Sequence, residues 1–216
     1  MKRKKAIIFD MDGVVSDTQK FHAEVESLVL KDFGIIMTPQ EITETYAGIA
    51  DEKMFAEIFE KYGVSVDLVG DAVLKKWDLM GKTASGRITG IPYAVSLIQS
   101  LKKNGFKLAI ASASRKSFIN EVMEALSIAD CFDTLVSTQE VQYGKPAPDI
   151  FLLAAERLGI QPEEAIVIED GRSGMIGASA ANMKSIGLVA DLTVDYPATK
   201  LVLSLGDVTI DMIHRL

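Results

Sequence analysis

The chain has 216 residues, of which 48% are hydrophobic and 25% are charged, a usual composition for a globular protein. A chain of this length can bury about 70–75% of its unfolded surface in one core, or in one core with a small additional domain. The formal net charge of −7 argues against a general attraction to nucleic acid or to anionic membranes. No apolar run approaches the roughly 18 residues that a membrane span requires.

The basic first residues and the cysteine content bear on where the protein resides. The start MKRKK is followed by only four apolar residues, far fewer than a secretory signal needs. We therefore expect solvated basic side chains beside a first strand. Cys131 is the single cysteine, so no internal disulfide can form, and a reducing cytoplasm is the expected location.

A short strand and a group of acids open the pattern. Residues 6–9, AIIF, are typical of a buried strand, and they run directly into Asp10, Asp12 and Asp17 with no base among them. Three carboxylates at the end of a core strand need a compensating charge from elsewhere in the chain or from a bound ion.

The next part of the chain, from about residue 18 to residue 82, has a helical pattern throughout. Apolar residues recur at helical spacing, and Thr38 followed by Pro39 is typical of a helix start. The predicted helical segments are 21–33, 38–48, 51–63 and 66–80.

After residue 86, short apolar strands alternate with amphipathic helices, which predicts a parallel sheet covered on both faces. The predicted strands are 106–112, 131–137, 164–170, 184–190 and a marginal 201–204, and the predicted helices are 93–105, 115–127, 147–159, 173–183 and 209–216. We therefore predict an α/β fold with a doubly wound, mostly parallel sheet. Residues 1–15 and 86–216 form this core, and residues 16–85 form a helical cap domain.

The polar residues that follow the predicted strands should meet at one edge of the sheet, where ligands bind in such folds. Asp10 and Asp12 follow the first strand, Ser112 ends the second, and Glu169 and Asp170 come directly after the apolar run AIVI of the fourth. Two carboxylates 4 Å apart repel by about 4 kcal/mol at an effective dielectric constant near 20. Because no His or Cys lies in these segments, their hard oxygen ligands favour Mg²⁺ over Zn²⁺.

Individual residues at this edge fit the binding and chemistry of an anion. Residues two apart in an extended segment point the same way, so Asp10 and Asp12 can share one site and divide nucleophilic attack from proton transfer. Gly13 can bring backbone N–H groups near an anion, Ser112 can offer a hydroxyl, and Lys145 can direct one positive charge. Taken singly, each feature is also explained as an ordinary turn, helix cap or solvated side chain.

Taken in order, the segments DMDGVVSDT, ASAS, GKPAPD and EDGRSG resemble the four motifs of the haloacid dehalogenase superfamily, and in particular its phosphatase and β-phosphoglucomutase-like branch. The resemblance covers essentially the whole chain and implies a Rossmann-like core with a cap. It implies that Asp10 is the nucleophile that forms an aspartyl-phosphate and that Asp12 is the general acid and base. Ser112 and Lys145 would hold the phosphoryl oxygens.

The same resemblance implies a Mg²⁺ site and a substrate site. The implied metal ligands are Asp170, Glu169, Asp10 and the backbone carbonyl of Asp12. The residues expected to bind substrate are Gly13, Thr18, His22, Gly48, Lys76, Ala113, Ser114 and Arg115. His22 is equally well explained as a partly buried helix histidine.

The cap loop YAGIADEK departs from the β-phosphoglucomutase pattern. Those enzymes carry an arginine after the corresponding glycine, whereas Asp51 occupies that place here. We therefore expect a phosphatase acting on a small phosphorylated metabolite, with a sugar phosphate mutase as the alternative and a catalytically silent binding domain as a remote one. The implied partner is this metabolite, with no nucleic acid or membrane, and the implied state is a monomer.

Overall fold

The computed structural model describes residues 4–84 and 86–216, and a six-stranded parallel sheet forms its centre. The strands are β1 (Ala6–Phe9), β2 (Lys107–Ser112), β3 (Thr134–Ser137), β4 (Ala165–Glu169), β5 (Lys184–Leu188) and β6 (Lys200–Val202). They lie in the order β3-β2-β1-β4-β5-β6, and every neighbouring pair is parallel. The predicted α/β class with a parallel sheet is confirmed.

Helices form two groups along the chain. The first group lies between β1 and β2 and consists of α1 (Gln19–Asp32), α2 (Pro39–Tyr46), α3 (Asp51–Tyr62) and α4 (Val69–Thr83). The second group accompanies the sheet and consists of α5 (Ala94–Lys103), α6 (Lys116–Ala125), α7 (Asp149–Leu158), α8 (Arg172–Ala180) and α9 (Ile210–Arg215).

Helices cover both faces of the sheet because successive side chains of a strand point to opposite sides. Ile7 and Phe9 of β1 pack in one apolar cluster with residues of α5 and α6. Ala6 and Ile8 pack in a second cluster with residues of α7 and α8. A strand buried on both sides reads as a continuous apolar run, as residues 6–9 do.

The helices α1 to α4 pack against one another and correspond to the predicted cap. Phe55, Ile58 and Met80 are fully buried among them. Thr38 caps α2 as expected: its hydroxyl accepts from the N–H of Glu41, whose carboxylate in turn accepts from the N–H of Thr38.

Two chain segments connect the cap to the sheet domain and run side by side. The N–H of Asp17 donates to the carbonyl of Thr89 at 2.8 Å, and Ser16 forms a bridge with Gly90. The predicted boundary near Ser85 lies outside the described residues, so the limits of the cap stay a prediction.

The expectation of solvated basic residues at the start is wrong for Lys4. Its side chain is buried, and its Nζ donates to the carbonyl of Glu163 at 2.9 Å. Lys5 is exposed as expected, whereas Lys2 and Arg3 lie outside the described residues. Among residues 4–84 and 86–216, no helix is long and apolar enough to cross a membrane.

Candidate active site

The sheet order brings the predicted site residues to one edge. The order reverses between β1 and β4, and in open α/β sheets ligands bind outside the carboxyl ends of the strands at such a point. Asp10 and Asp12 follow β1, Ser112 is the last residue of β2, and Glu169 ends β4 directly before Asp170. These residues therefore come together as expected from the strand pattern.

Three of these acids form a group that can hold a metal ion. Asp10, Glu169 and Asp170 each offer a carboxylate oxygen, and these oxygens lie within 4.8 Å of one another. Three hard oxygen donors fit Mg²⁺, which binds to a few carboxylates and retains several waters. The donor set agrees with the expected cofactor.

Two glycines have no side chain that would fill the space of these carboxylates. A Cβ at Gly13, which has φ of +91°, would overlap with the carboxylate of Asp170. A Cβ at Gly174 would overlap with the carboxylate of Glu169, which also accepts from the N–H of Gly171 at 2.8 Å. The glycines of the segments DMDG and EDGRSG therefore have a steric role next to the acids.

Lys145 supplies the positive charge among the acids. Its side chain has no exposed surface, and its Nζ donates to Asp10 Oδ1 and, at 2.7 Å, to Glu169 Oε1. Burial opposes the charged form of Lys145, but the two carboxylates outweigh it and raise the pKa of the lysine above its ordinary value. Lys145 therefore contacts two carboxylates of the acid group directly.

The remaining charge of the acid group stays poorly compensated. Burial, followed by the Glu169 carboxylate, raises the pKa of Asp170 to about 8. Burial is also the main reason why the pKa of Asp10 is raised well above its ordinary value, against the lowering by Lys145. One ammonium cannot neutralise three carboxylates, two of which are buried, and this is the electrostatic condition for binding a cation.

Asp12 belongs to a separate hydrogen-bond network. Its carboxylate accepts from the hydroxyls of Thr18 and Ser114, the latter at 2.8 Å, and lies 3.4 Å from Nε2 of His22. Ser112 Oγ is 3.3 Å away. Burial opposes ionisation of Asp12, but His22 and the two hydroxyls outweigh it and hold the pKa of the carboxyl below its ordinary value.

A cavity of about 60 Å³ lies between the cap and this edge of the sheet. Asp10 and Asp12 line it, together with five of the residues expected to bind substrate, namely His22, Gly48, Lys76, Ala113 and Ser114. Gly13 instead lines a larger neighbouring groove of about 730 Å³, next to Asp170. Asp17, the third acid of the opening segment, is exposed and also lines that groove.

Two residues expected to bind substrate have a different place. Thr18 is fully buried and does not line the cavity; its hydroxyl is engaged with Asp12 and with Ser16 at 2.7 Å. Its hydroxyl therefore orients the Asp12 carboxylate, and its contact with substrate stays a prediction. The guanidinium of Arg115 lies 5.3 Å from the centre of the Trp77 ring and lines an outer groove instead of the cavity.

The charge of Asp51, the residue in the place of the β-phosphoglucomutase arginine, is compensated by a neighbouring lysine. Asp51 is buried, and it accepts from Nζ of Lys76 and, at 2.7 Å, from Nε1 of Trp77. Lys76 also donates to Glu26 at 2.5 Å. Burial opposes the charge of Lys76, but both carboxylates outweigh it and raise the pKa of the lysine above its ordinary value.

Glu26 and Trp77 were not expected at the site from the sequence. One signal pointed to Glu26: it lies four residues after His22 and so shares a helix face with it. It is also an acid between the buried Val25 and Val29. No periodic signal singles out Trp77, because its role depends on a partner in another helix.

Comparisons with known proteins agree with this geometry. The sequence profile of the family described as haloacid dehalogenase-like hydrolase matches residues 7–188. The chain is 31% identical over 193 residues to the Arabidopsis thaliana protein SUPPRESSOR OF QUENCHING 1, chloroplastic, a match that covers 87% of this chain but only 18% of that protein. It is 28% identical over 189 residues to the phosphorylated carbohydrates phosphatase of Thermotoga maritima, with 87% of each chain covered.

Among solved structures, the β-phosphoglucomutase of Clostridium difficile matches with a TM-score of 0.81 and 28% sequence identity. The match covers 98% of this chain and 96% of that one. The match therefore spans helices α1 to α4 as well as the sheet. The chain therefore belongs to the haloacid dehalogenase-like hydrolase family, as the resemblance of its motifs implied, and it is an enzyme of that family.

Proposed function

We propose that this chain is a Mg²⁺-dependent phosphatase that hydrolyses the phosphate monoester of a small metabolite, a sugar phosphate or related compound, through an aspartyl-phosphate on Asp10. The observation that carries the proposal is the separation of the acids into two groups at one edge. Asp10 lies with Glu169 and Asp170, whereas Asp12 is held apart by hydroxyl donors. One group suits a metal ion beside a nucleophile, and the other suits proton transfer.

The proposed Mg²⁺ ligands are Asp10, Glu169, Asp170 and the backbone carbonyl of Asp12. When bound, the ion would neutralise carboxylate charge and polarise a phosphoryl oxygen. Lys145 compensates further charge on Asp10. Phosphoryl transfer depends mainly on such positioning and charge neutralisation.

In the first step, a carboxylate oxygen of Asp10 attacks phosphorus, and the bond from phosphorus to the ester oxygen breaks. The leaving oxygen keeps the bonding electron pair and takes a proton from the carboxyl of Asp12. A phosphate dianion next to Asp12 raises the pKa of this carboxyl, which favours the proton uptake that the step requires. Ser112 and Ser114 hold Asp12 in place.

In the second step, Asp12 has become a carboxylate and takes a proton from a water molecule. The water oxygen attacks phosphorus, the bond from phosphorus to Asp10 breaks, and its electron pair returns to the Asp10 carboxylate. Inorganic phosphate leaves. The low pKa of Asp12 in the free protein corresponds to the carboxylate form that ends the first step.

Substrate entry requires movement of the cap. A cavity of about 60 Å³ has room for only a few water molecules. A sugar phosphate is several times larger. The cap helices therefore have to move away from the sheet edge during entry and release, as lids commonly do.

A sugar phosphate mutase is the second candidate, favoured by the similarity to the C. difficile β-phosphoglucomutase. In a mutase, a sugar hydroxyl replaces water, and a bisphosphate has to be held at both ends. Asp51 stands where β-phosphoglucomutases carry an arginine, which favours the phosphatase. A silent binding domain would have lost a reacting acid, yet Asp10, Asp12 and Asp170 are all present.

The proposal is tested with p-nitrophenyl phosphate. We expect turnover that requires Mg²⁺, disappears with chelator, and is abolished in Asp10→Asn but retained in Asp71→Asn, a matched control at an exposed acid of α4. Absence of Mg²⁺-dependent turnover, or its persistence in Asp10→Asn, refutes the phosphatase. Incubation with β-glucose 1-phosphate and a trace of the bisphosphate separates the two candidates, because a mutase forms glucose 6-phosphate without stoichiometric release of phosphate.

The location and the oligomeric state belong to the same proposal. We infer a cytoplasmic monomer, for which the free, partly buried Cys131 and the resemblance of the motifs are the support. Sedimentation of the purified protein at a single mass of one chain is the expected result.

A further inference from the structure

Three charged side chains of the cap form a buried cluster on the wall of the cavity. Glu26 of α1, Asp51 of α3 and Lys76 of α4 are all buried, and Lys76 is only 1% exposed. All three line the same cavity as Asp10 and Asp12. Nζ of Lys76 donates to Glu26 Oε1 at 2.5 Å and to Asp51 Oδ1. We call these three residues the cap triad.

The cap triad keeps one unused donor and one unused acceptor. An ammonium group has three N–H donors, and Lys76 spends two of them on the triad acids. Glu26 accepts through Oε1, and within residues 4–84 and 86–216 no group donates to its Oε2. Both oxygens of Asp51 are engaged, because Nε1 of Trp77 donates to Oδ2.

The cap triad is also fixed and carries a net negative charge. Two carboxylates face one ammonium, so one negative charge remains. If Lys76 turned towards a ligand phosphate, the buried carboxylates of Glu26 and Asp51 would lose the hydrogen bonds that its ammonium donates, which is costly. Lys76 is therefore unsuited to gripping a second phosphate group, although it lies in the cavity.

We propose that the cap triad selects the end of the substrate remote from the reacting phosphate, and that this end carries a hydroxyl group of a sugar or polyol. The inference rests on the proposed function, because it specifies the substrate class of the same site. A hydroxyl both donates and accepts, so it can accept from Lys76 and donate to Glu26 at the same time. A second phosphate is an anionic acceptor and is repelled by the net negative charge of the cap triad. An alkyl chain leaves the third N–H of Lys76 and Oε2 of Glu26 without a hydrogen-bond partner.

The first test uses the wild-type protein and needs no variant. Glucose 6-phosphate, glucose 1,6-bisphosphate and n-hexyl phosphate each compete with the Mg²⁺-dependent hydrolysis of acetyl phosphate. We expect the inhibition constants of the bisphosphate and of the hexyl ester to be at least tenfold higher than that of glucose 6-phosphate. Equal constants overturn the inference, whereas a protein without any acetyl phosphate turnover refutes the proposed function instead.

The second test changes the cap triad and compares ratios within each variant. In Glu26→Gln and in Asp51→Arg, we expect the preference for glucose 6-phosphate over glucose 1,6-bisphosphate to fall at least tenfold, with tighter binding of the bisphosphate in Asp51→Arg. Lys75→Gln is the matched control, because Lys75 is an exposed neighbour paired with Asp32, and its ratio should equal that of the wild type. Thermal unfolding identifies folded variants. An unchanged ratio in folded Glu26→Gln or Asp51→Arg overturns the inference.

Discussion

Replacing Lys145 by methionine tests the electrostatics of the site most directly. The side chain of Lys145 has no exposed surface and contacts the carboxylates of Asp10 and Glu169, the latter at 2.7 Å. At an effective dielectric constant near 20, a pair at this distance gains roughly 6 kcal/mol, and the desolvation of the ions offsets several kcal/mol of it. Methionine has a similar length but no charge, so it leaves the buried acids uncompensated. We expect the metal-free variant to lose about 3–5 kcal/mol in its free energy of unfolding.

The assay is urea denaturation at pH 7.5, with chelator and with Mg²⁺. Because Mg²⁺ compensates the same carboxylates, we expect the ion at about 100 times its dissociation constant to restore about 2.7 kcal/mol. Lys82→Met is the matched control: Lys82 forms a 2.6 Å pair with Asp78, but both side chains are exposed, so the loss should be within about 1 kcal/mol. If Lys145→Met and Lys82→Met lose equally little stability in chelator, the reasoning is wrong.

Three further predictions concern the same edge of the sheet. The raised pKa of Asp170, about 8, means that the native state of the metal-free protein holds a proton that the unfolded state releases near pH 4. The free energy of unfolding should therefore fall as pH rises from about 4 to about 8. Asp170→Asn should remove much of this slope in urea titrations with chelator, and an unchanged slope contradicts the assignment. Gly174→Ala should weaken Mg²⁺ binding at least tenfold in calorimetry because its Cβ displaces the carboxylate of Glu169, whereas Gly70→Ala, where a Cβ meets nothing within 4 Å, should bind normally; equal affinities refute the steric argument. Asp12→Asn should lower steady-state phosphatase turnover by about 10²–10⁴-fold through loss of acid–base catalysis, and a loss of less than tenfold in stopped-flow or steady-state assays would remove Asp12 from that role.

The fold could be predicted from the sequence because each of its elements has a local signal. The run AIIF at residues 6–9 is apolar throughout because β1 is buried on both faces. Thr38 and Pro39 begin α2 as their cap preferences predict. Parallel strands align their carboxyl ends, so Asp10, Asp12 and Asp170 could be placed at one edge before their distances were known.

The partners of individual side chains could not be predicted in this way. The order of the motifs placed Thr18 and Arg115 at the substrate site. In the structure, the hydroxyl of Thr18 donates to Asp12, and the guanidinium of Arg115 lies over the ring of Trp77. Lys4 is buried, although it belongs to the basic first residues that were expected to be solvated. Whether a side chain meets substrate, solvent or a neighbour depends on packing between elements, for which periodicity carries no information.

The sequence by itself determined the class of fold, the parallel sheet and the meeting of the motif acids, because apolar period and strand direction are local properties of the chain. Only the tertiary structure decided how Lys76 is used, since its partners Glu26 and Asp51 lie 50 and 25 positions away on other helices. Ion pairs between helices depend on how those helices cross and on the direction of their side chains. The spacing of residues along one helix determines neither of these.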